Sequence, residues 1–164
     1  MHWMFLPLKR YADFRGRSRR KEYWMFALFV VLVYFAFALL FGASVMAAMS
    51  GGLGPTGLGA GAMMGLGLFG LFLLAIFVPS LAVGVRRLHD TNRSGWWVIA
   101  PTAISLLSLA FTGTGIDLLL SVVSLIGSLV LLVFLCIEGT RGPNRFGPDP
   151  KDPAGSADLQ EVFR

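Results

Sequence analysis

The residues able to do chemistry lie in three short segments: FRGRSRRKEYW at 14–24, PSLAVGVRRLHDTNRSGWW at 79–97 and EGTRGPNRFGPDP at 138–150. The middle one sets His89 beside Asp90, residue types that serve general acid–base catalysis. Neighbours in sequence need not face one another, however, and no G-x-S-x-G elbow supplies a companion nucleophile. His2 and His89 are the only imidazoles and Cys136 the only thiol, too few nitrogen and sulfur ligands for a metal cage. Cys136 lies in an apolar run and reads as a packing residue that has no partner for an internal disulfide. The Gly-Pro-Asn and Gly-Pro-Asp steps at 142–149 are turn chemistry, unlike a phosphate loop. No catalytic residue, metal or cofactor is expected.

Basic chemistry is the richer signal. Of the 14 Lys and Arg, 11 are Arg, the side chain suited to forked contacts with phosphate or carboxylate. Two readings follow. In the first, Arg86, Arg87, His89 and Asp90 pair with Glu22, Glu138 or Asp149 as a structural clasp joining the three segments. In the second, Ser94 caps the start of a helix whose free N–H groups, beside Arg86, Arg87 and Arg93, make an anion site. Arg17, Arg20, His89 and Arg145 join that candidate surface for anionic lipid or a partner protein.

The elements that position these groups are apolar. Hydrophobic residues make up 55% and charged ones 14%, against roughly 25% charged in an average soluble domain, and mean hydropathy is +0.71. A soluble body this small cannot hide so much apolar surface. Spans are expected over about 23–49, 58–85, 96–111 and 116–137. The first run is too long for a cleavable signal core of about 7–15 residues. The second would make roughly 42 Å of helix against a hydrocarbon core of about 30 Å, so it must tilt or bend. Pro79 offers a bend by crowding the carbonyl of Ala75. The third is short for a span.

Charge sets the orientation. The segments 9–21, 86–93 and 141–164 hold 7, 3 and 4 of the basic residues, and the connections at about 50–57 and 112–115 hold none. Basic residues of short loops stay cytoplasmic, and an even number of crossings places all three segments there. Trp3, Tyr11, Tyr23, Trp24, Trp96 and Trp97 fall at the same interface, and residues 2–8 fit a segment lying flat on it. The reading is one all-α integral membrane domain over 1–150. It is a four-transmembrane-helix bundle with both termini in the cytoplasm, an interfacial N-terminal segment and an Arg-rich cap. A polar tail at 151–164 is expected to be disordered.

Small and hydroxyl residues speak to packing. Gly57, Gly61 and Gly65 recur at four-residue spacing, which suits close helix approach within the chain or a homo-oligomer seam. Asp117, Ser121, Ser124 and Ser128 share one face of the fourth span, and Thr102, Ser105, Ser108 and Thr112 one side of the third. Such stripes are more often interhelical or intrahelical hydrogen bonds than a water path. Thr114-Gly115-Ile116-Asp117 has capping-box spacing.

The three charged segments resemble a bacterial inner-membrane family catalogued as a domain of unknown function, DUF 805. The matching positions are Phe14, Gly16, Arg17, Arg20, Glu22, Tyr23 and Trp24, then Arg86 to Asp90 with Ser94, Gly95, Trp96 and Trp97. The third set is Gly139, Gly142, Asn144, Arg145, Phe146, Gly147, Asp149 and Pro150. Asn92 departs from a common Gly, and both residues tolerate a left-handed turn. The resemblance covers residues 1–150 and implies a small multispan protein of the bacterial inner membrane, with no activity attached. Three functions remain open: a non-enzymatic module binding anionic phospholipid headgroups or a partner, a small transporter or channel between the third and fourth helices, and a membrane enzyme using His89 and Asp90. Nucleic acid is a poor fit, because the basic residues hug the bilayer.

Overall fold

The computed structural model describes residues 2–50 and 60–152. Five helices follow one another there: α1 His2–Lys9, α2 Arg20–Met49, α3 Ala60–Asp90, α4 Trp96–Ala110 and α5 Ile116–Cys136. By length and composition α2, α3 and α5 suffice to cross a membrane, whereas α4 is a shorter apolar helix. Its 15 residues make about 22 Å of helix, less than the hydrocarbon thickness. Gly57, the start of the second expected span and residues 153–164 of the expected tail lie outside the described residues.

α3 continues to Asp90, past the expected end at Val85. The apolar run stops there, but Arg86, Arg87 and His89 all find partners in the fold, and the helix carries on to the first residue able to end it. That is Asn92, at φ 58°. The Arg93 N–H then reaches back to the Leu88 carbonyl at 2.9 Å, the bond of a helix end closed by a left-handed residue. Inside the helix Pro79 cannot donate to the carbonyl of Ala75. The Tyr11 hydroxyl does so instead, at 2.7 Å, so the segment after α1 satisfies the acceptor that the proline strands.

The helices form two hairpins. α2 packs on α3 through Tyr34 and Phe37 against Phe69 and Phe72. A side chain at Gly65 would come within 2.6 Å of the Phe41 ring. Gly65 is thus buried against the chain's own α2, whereas Gly61 stays exposed beside Ser44. α4 packs on α5 with Pro101 over Gly127 at 3.3 Å from where its Cβ would be. α3 touches both α4 and α5, but α2 and α5 do not pack along their length. The outward surfaces of α2, α3 and α5 remain apolar and open, with Leu39 69%, Leu74 73% and Leu118 69% exposed, as lipid-facing helices require.

Four hydroxyls of the two stripes are satisfied inside the hairpin. Ser124 donates to the Pro101 carbonyl at 2.8 Å, Ser128 to Ser124, Ser108 to Ser105 and Thr112 to Leu109. One of these crosses between helices and the rest turn back on their own helix. The expected Thr114–Asp117 capping box does not form, because neither side chain bonds the other's N–H. Asp117 accepts from the Gly113 N–H at 3.0 Å, while Thr114 donates to Phe111 and the cap itself is Gly115 at φ 79°.

A buried arginine clasp at the charged end

Among the described residues the largest fully buried side chains are Arg86 and Arg87, on the last turns of α3. A buried guanidinium demands acceptors for its donors and an anion nearby. Arg87 donates through Nη1 to Asp90 Oδ2 at 2.5 Å, through Nε to the Leu135 carbonyl at 3.1 Å, and through Nη2 to the Ile137 carbonyl. Those carbonyls close α5, whose last turn has no helical donors of its own, so the cation also suits its dipole. Arg20 caps Cys136 at 3.1 Å from the other side.

Asp90 is shared. Its Oδ1 accepts from Arg17 Nε at 3.0 Å, and Arg17 goes on to the carbonyls of Gly142 and Thr140. The Asp90 carbonyl in turn accepts the Thr140 N–H at 2.8 Å. Asp90 thereby binds two arginines through its carboxylate and the segment after α5 through its carbonyl. Gly139 is required beside it, because a Cβ there would collide with the Asp90 carboxylate.

Arg86 anchors the other flank. It donates to Glu22 Oε1 at 3.2 Å and to the Asp13 carbonyl at 2.7 Å, and the Ser18 N–H closes on its own carbonyl at 3.1 Å. Arg10 pairs with Asp13 at 2.8 Å, and this contact, with Arg86 behind it, holds the Asp13 carboxyl below the usual carboxylate range. His89 stacks flat on Phe146 with ring centres 3.8 Å apart. Its Nδ1 lies 3.2 Å from the Gly16 carbonyl, which can only accept, so the ring proton sits there. Asn144 donates to the His89 carbonyl at 3.0 Å, and Arg145 to that of Asn92 at 3.0 Å.

Several expected partners take other roles. Glu138 pairs with Lys151, outside the clasp. Asp149 accepts the N–H groups of Gly142 at 3.0 Å and Lys151 at 2.9 Å. Burial pushes its carboxyl up, but those two donors and the Arg17 charge outweigh it and hold the group below its ordinary value. The expected anion site at the start of α4 is not assembled. Ser94 stands at 3.5 Å from the Trp96 N–H, and the cap is Gly95 with no side-chain bond. Gly95 is there because a Cβ would meet Val85 at 2.8 Å. Arg86 and Arg87 point into the clasp, and Arg93 lies over the Phe134 ring at 3.9 Å. Arg19, read in the sequence as one of a basic cluster, donates to the Pro150 carbonyl, and Asn144, read as a motif position, ties the segment after α5 to the end of α3. The sequence reading gave no part to Asp13 or Thr140. Of these two only Asp13, three residues after Arg10, carried a legible signal.

Apolar spans bound at one end by a polar clasp define a small polytopic helical membrane protein. The chain belongs to the family described as a protein of unknown function, DUF805, whose model matches residues 11–148. It is 41% identical to the inner membrane protein YhaI of Escherichia coli K12, over 92% of this chain and 97% of that protein. It is 39% identical to the inner membrane protein YhaH of the same organism, over 92% and 98%. No solved structure matches it.

Proposed function

We propose that this chain is a four-span inner-membrane protein with both ends in the cytoplasm, and that it acts without catalysis by gathering anionic phospholipid around its basic face. The carrying observation is a division among its cations. Arg17, Arg86 and Arg87 are buried in the clasp, while Lys9, Arg15, Arg20, Lys21, Arg141, Arg145 and Lys151 are exposed around it. The buried set holds the fold together, and the exposed set presents its charge outward even where Arg20, Arg145 and Lys151 also bond within the chain. Each exposed cation near an anionic surface is worth about 1 kcal/mol. Trp24 and Trp96, 41% and 73% exposed, mark the interface depth at which such headgroups lie. His89 and Asp90 are given structural parts, since the ring is stacked and both carboxylate oxygens are engaged.

The orientation rests on basic residues in alternate connections. The lipid reading is tested by purifying the full chain from nanodiscs of phosphatidylethanolamine and phosphatidylglycerol at 3:1 and measuring what stays bound. Retained lipid richer in phosphatidylglycerol than the bulk is expected, and the bulk ratio would overturn the reading.

A further inference from the structure

The cations that the clasp leaves over gather at one edge of it. Arg20 opens α2 and gives one guanidinium N–H to the Cys136 carbonyl at 3.1 Å. That bond brings the first turn of α2 to the last turn of α5, yet beyond it the two helices part without packing. Just after α5, Glu138 is exposed and pairs with Lys151. The Lys151 hydrogen bond, then its charge and those of Arg20 and Arg141, draw the Glu138 carboxyl below its usual range. Lys151 already answers the charge of Glu138, and the charges of Arg20 and Arg141 act at the same spot. Among the described residues the Arg141 side chain has no hydrogen-bond or ion-pair partner.

Two features make the spot fit a lipid. The bare carbonyls of a helix end repel anions, but here Leu135, Cys136 and Ile137 are all capped by Arg87 and Arg20. Beneath Arg20 on the same helical face come Trp24 and then Leu28, 41% and 46% exposed. Across the seam α5 offers Leu132 and Val133, 46% and 55% exposed. A soluble phosphate would use none of that apolar surface.

We propose that the open seam between the start of α2 and the end of α5 seats one anionic phospholipid, its phosphodiester held by Arg20 and Arg141 and its acyl chains lying between the two helices. This deepens the lipid reading above and rests on it. A guanidinium pair offers forked donors to phosphate oxygens, so the seat discriminates by headgroup charge and by chain.

The test is native mass spectrometry of the full chain released from 3:1 phosphatidylethanolamine–phosphatidylglycerol nanodiscs. The wild type is expected to keep one phosphatidylglycerol. Arg20→Gln with Arg141→Gln lowers that retention about thirtyfold, by two headgroup contacts. Lys9→Gln with Arg15→Gln removes the same charge elsewhere and leaves retention within about twofold. Arg141→Gln alone, which breaks no contact within the described residues, lowers it about fivefold. Equal losses in the two double variants would overturn the seat while leaving a diffuse basic rim. No phosphatidylglycerol preference in the wild type would overturn the rim as well. Displacement by millimolar inorganic phosphate would replace the lipid with a soluble anion.

Discussion

At the charged end Arg86 and Arg87 are wholly buried, whereas on the apolar part of the same α3 helix Leu74 is 73% exposed. The first region is held by directed bonds between distant segments. Arg17 meets Asp90 across 73 positions, and Arg87 meets Leu135 across 48. The second is held by ring contacts, close glycine approach and the Ser124–Pro101 hydroxyl bond between α5 and α4, with lipid taking the place of a core. In lipid the apolar surfaces of two hairpins gain little from meeting each other. Their relative placement is therefore fixed where charges can be paired and desolvated together, and that is where the polar residues concentrate.

The sharpest way to break this contrast is Asp90→Ala. It leaves Arg17 and Arg87 buried without their shared anion and is expected to cost about 3–5 kcal/mol, read as denaturant unfolding in mild detergent. A cost below that of a surface change would mean the clasp is ornamental. Acid should act on the same region. The carboxyls of Asp13 and Asp149 are held below their ordinary values. Their contribution is therefore complete above the unfolded carboxylate pKa of about 4 and disappears as pH falls through the lowered native values. Melting temperature should accordingly be level above about pH 5 and drop below pH 4. A melting temperature that rises on acidification reverses the sign. The smallest effect is expected in the hairpin: Ser124→Ala removes the bond to Pro101 and should cost about 0.6 kcal/mol, the average for such contacts in a bilayer. A loss matching that of Asp90→Ala would erase the distinction between the two regions.

Hydropathy made the apolar helices legible, with their order and the three charged segments between them. Asn92 also showed its turn. The end of α3 was hidden because the run loses its apolar character at Arg86, while the helix persists on ion pairs that only the fold creates. The clasp was half legible for a related reason. Glu22 and Asp90 were visible as the anions for arginines, but the carbonyls of Leu135, Ile137, Thr140, Gly142 and Pro150 were not, since every residue carries one. Tyr11 became meaningful only once the carbonyl stranded by Pro79 had a hydroxyl above it.

Hydrogen exchange on the protein in nanodiscs tests the central claim most directly, through the N–H groups of Ser18 and Thr140. Each donates to a backbone carbonyl at the end of α3, Ser18 to Arg86 at 3.1 Å and Thr140 to Asp90 at 2.8 Å. Both should exchange slowly in the wild type and become fast together in Asp90→Ala, while the amides of α5 stay protected. Fast exchange at Thr140 in the wild type, or loss at one site alone, would show that the two segments are not joined through α3.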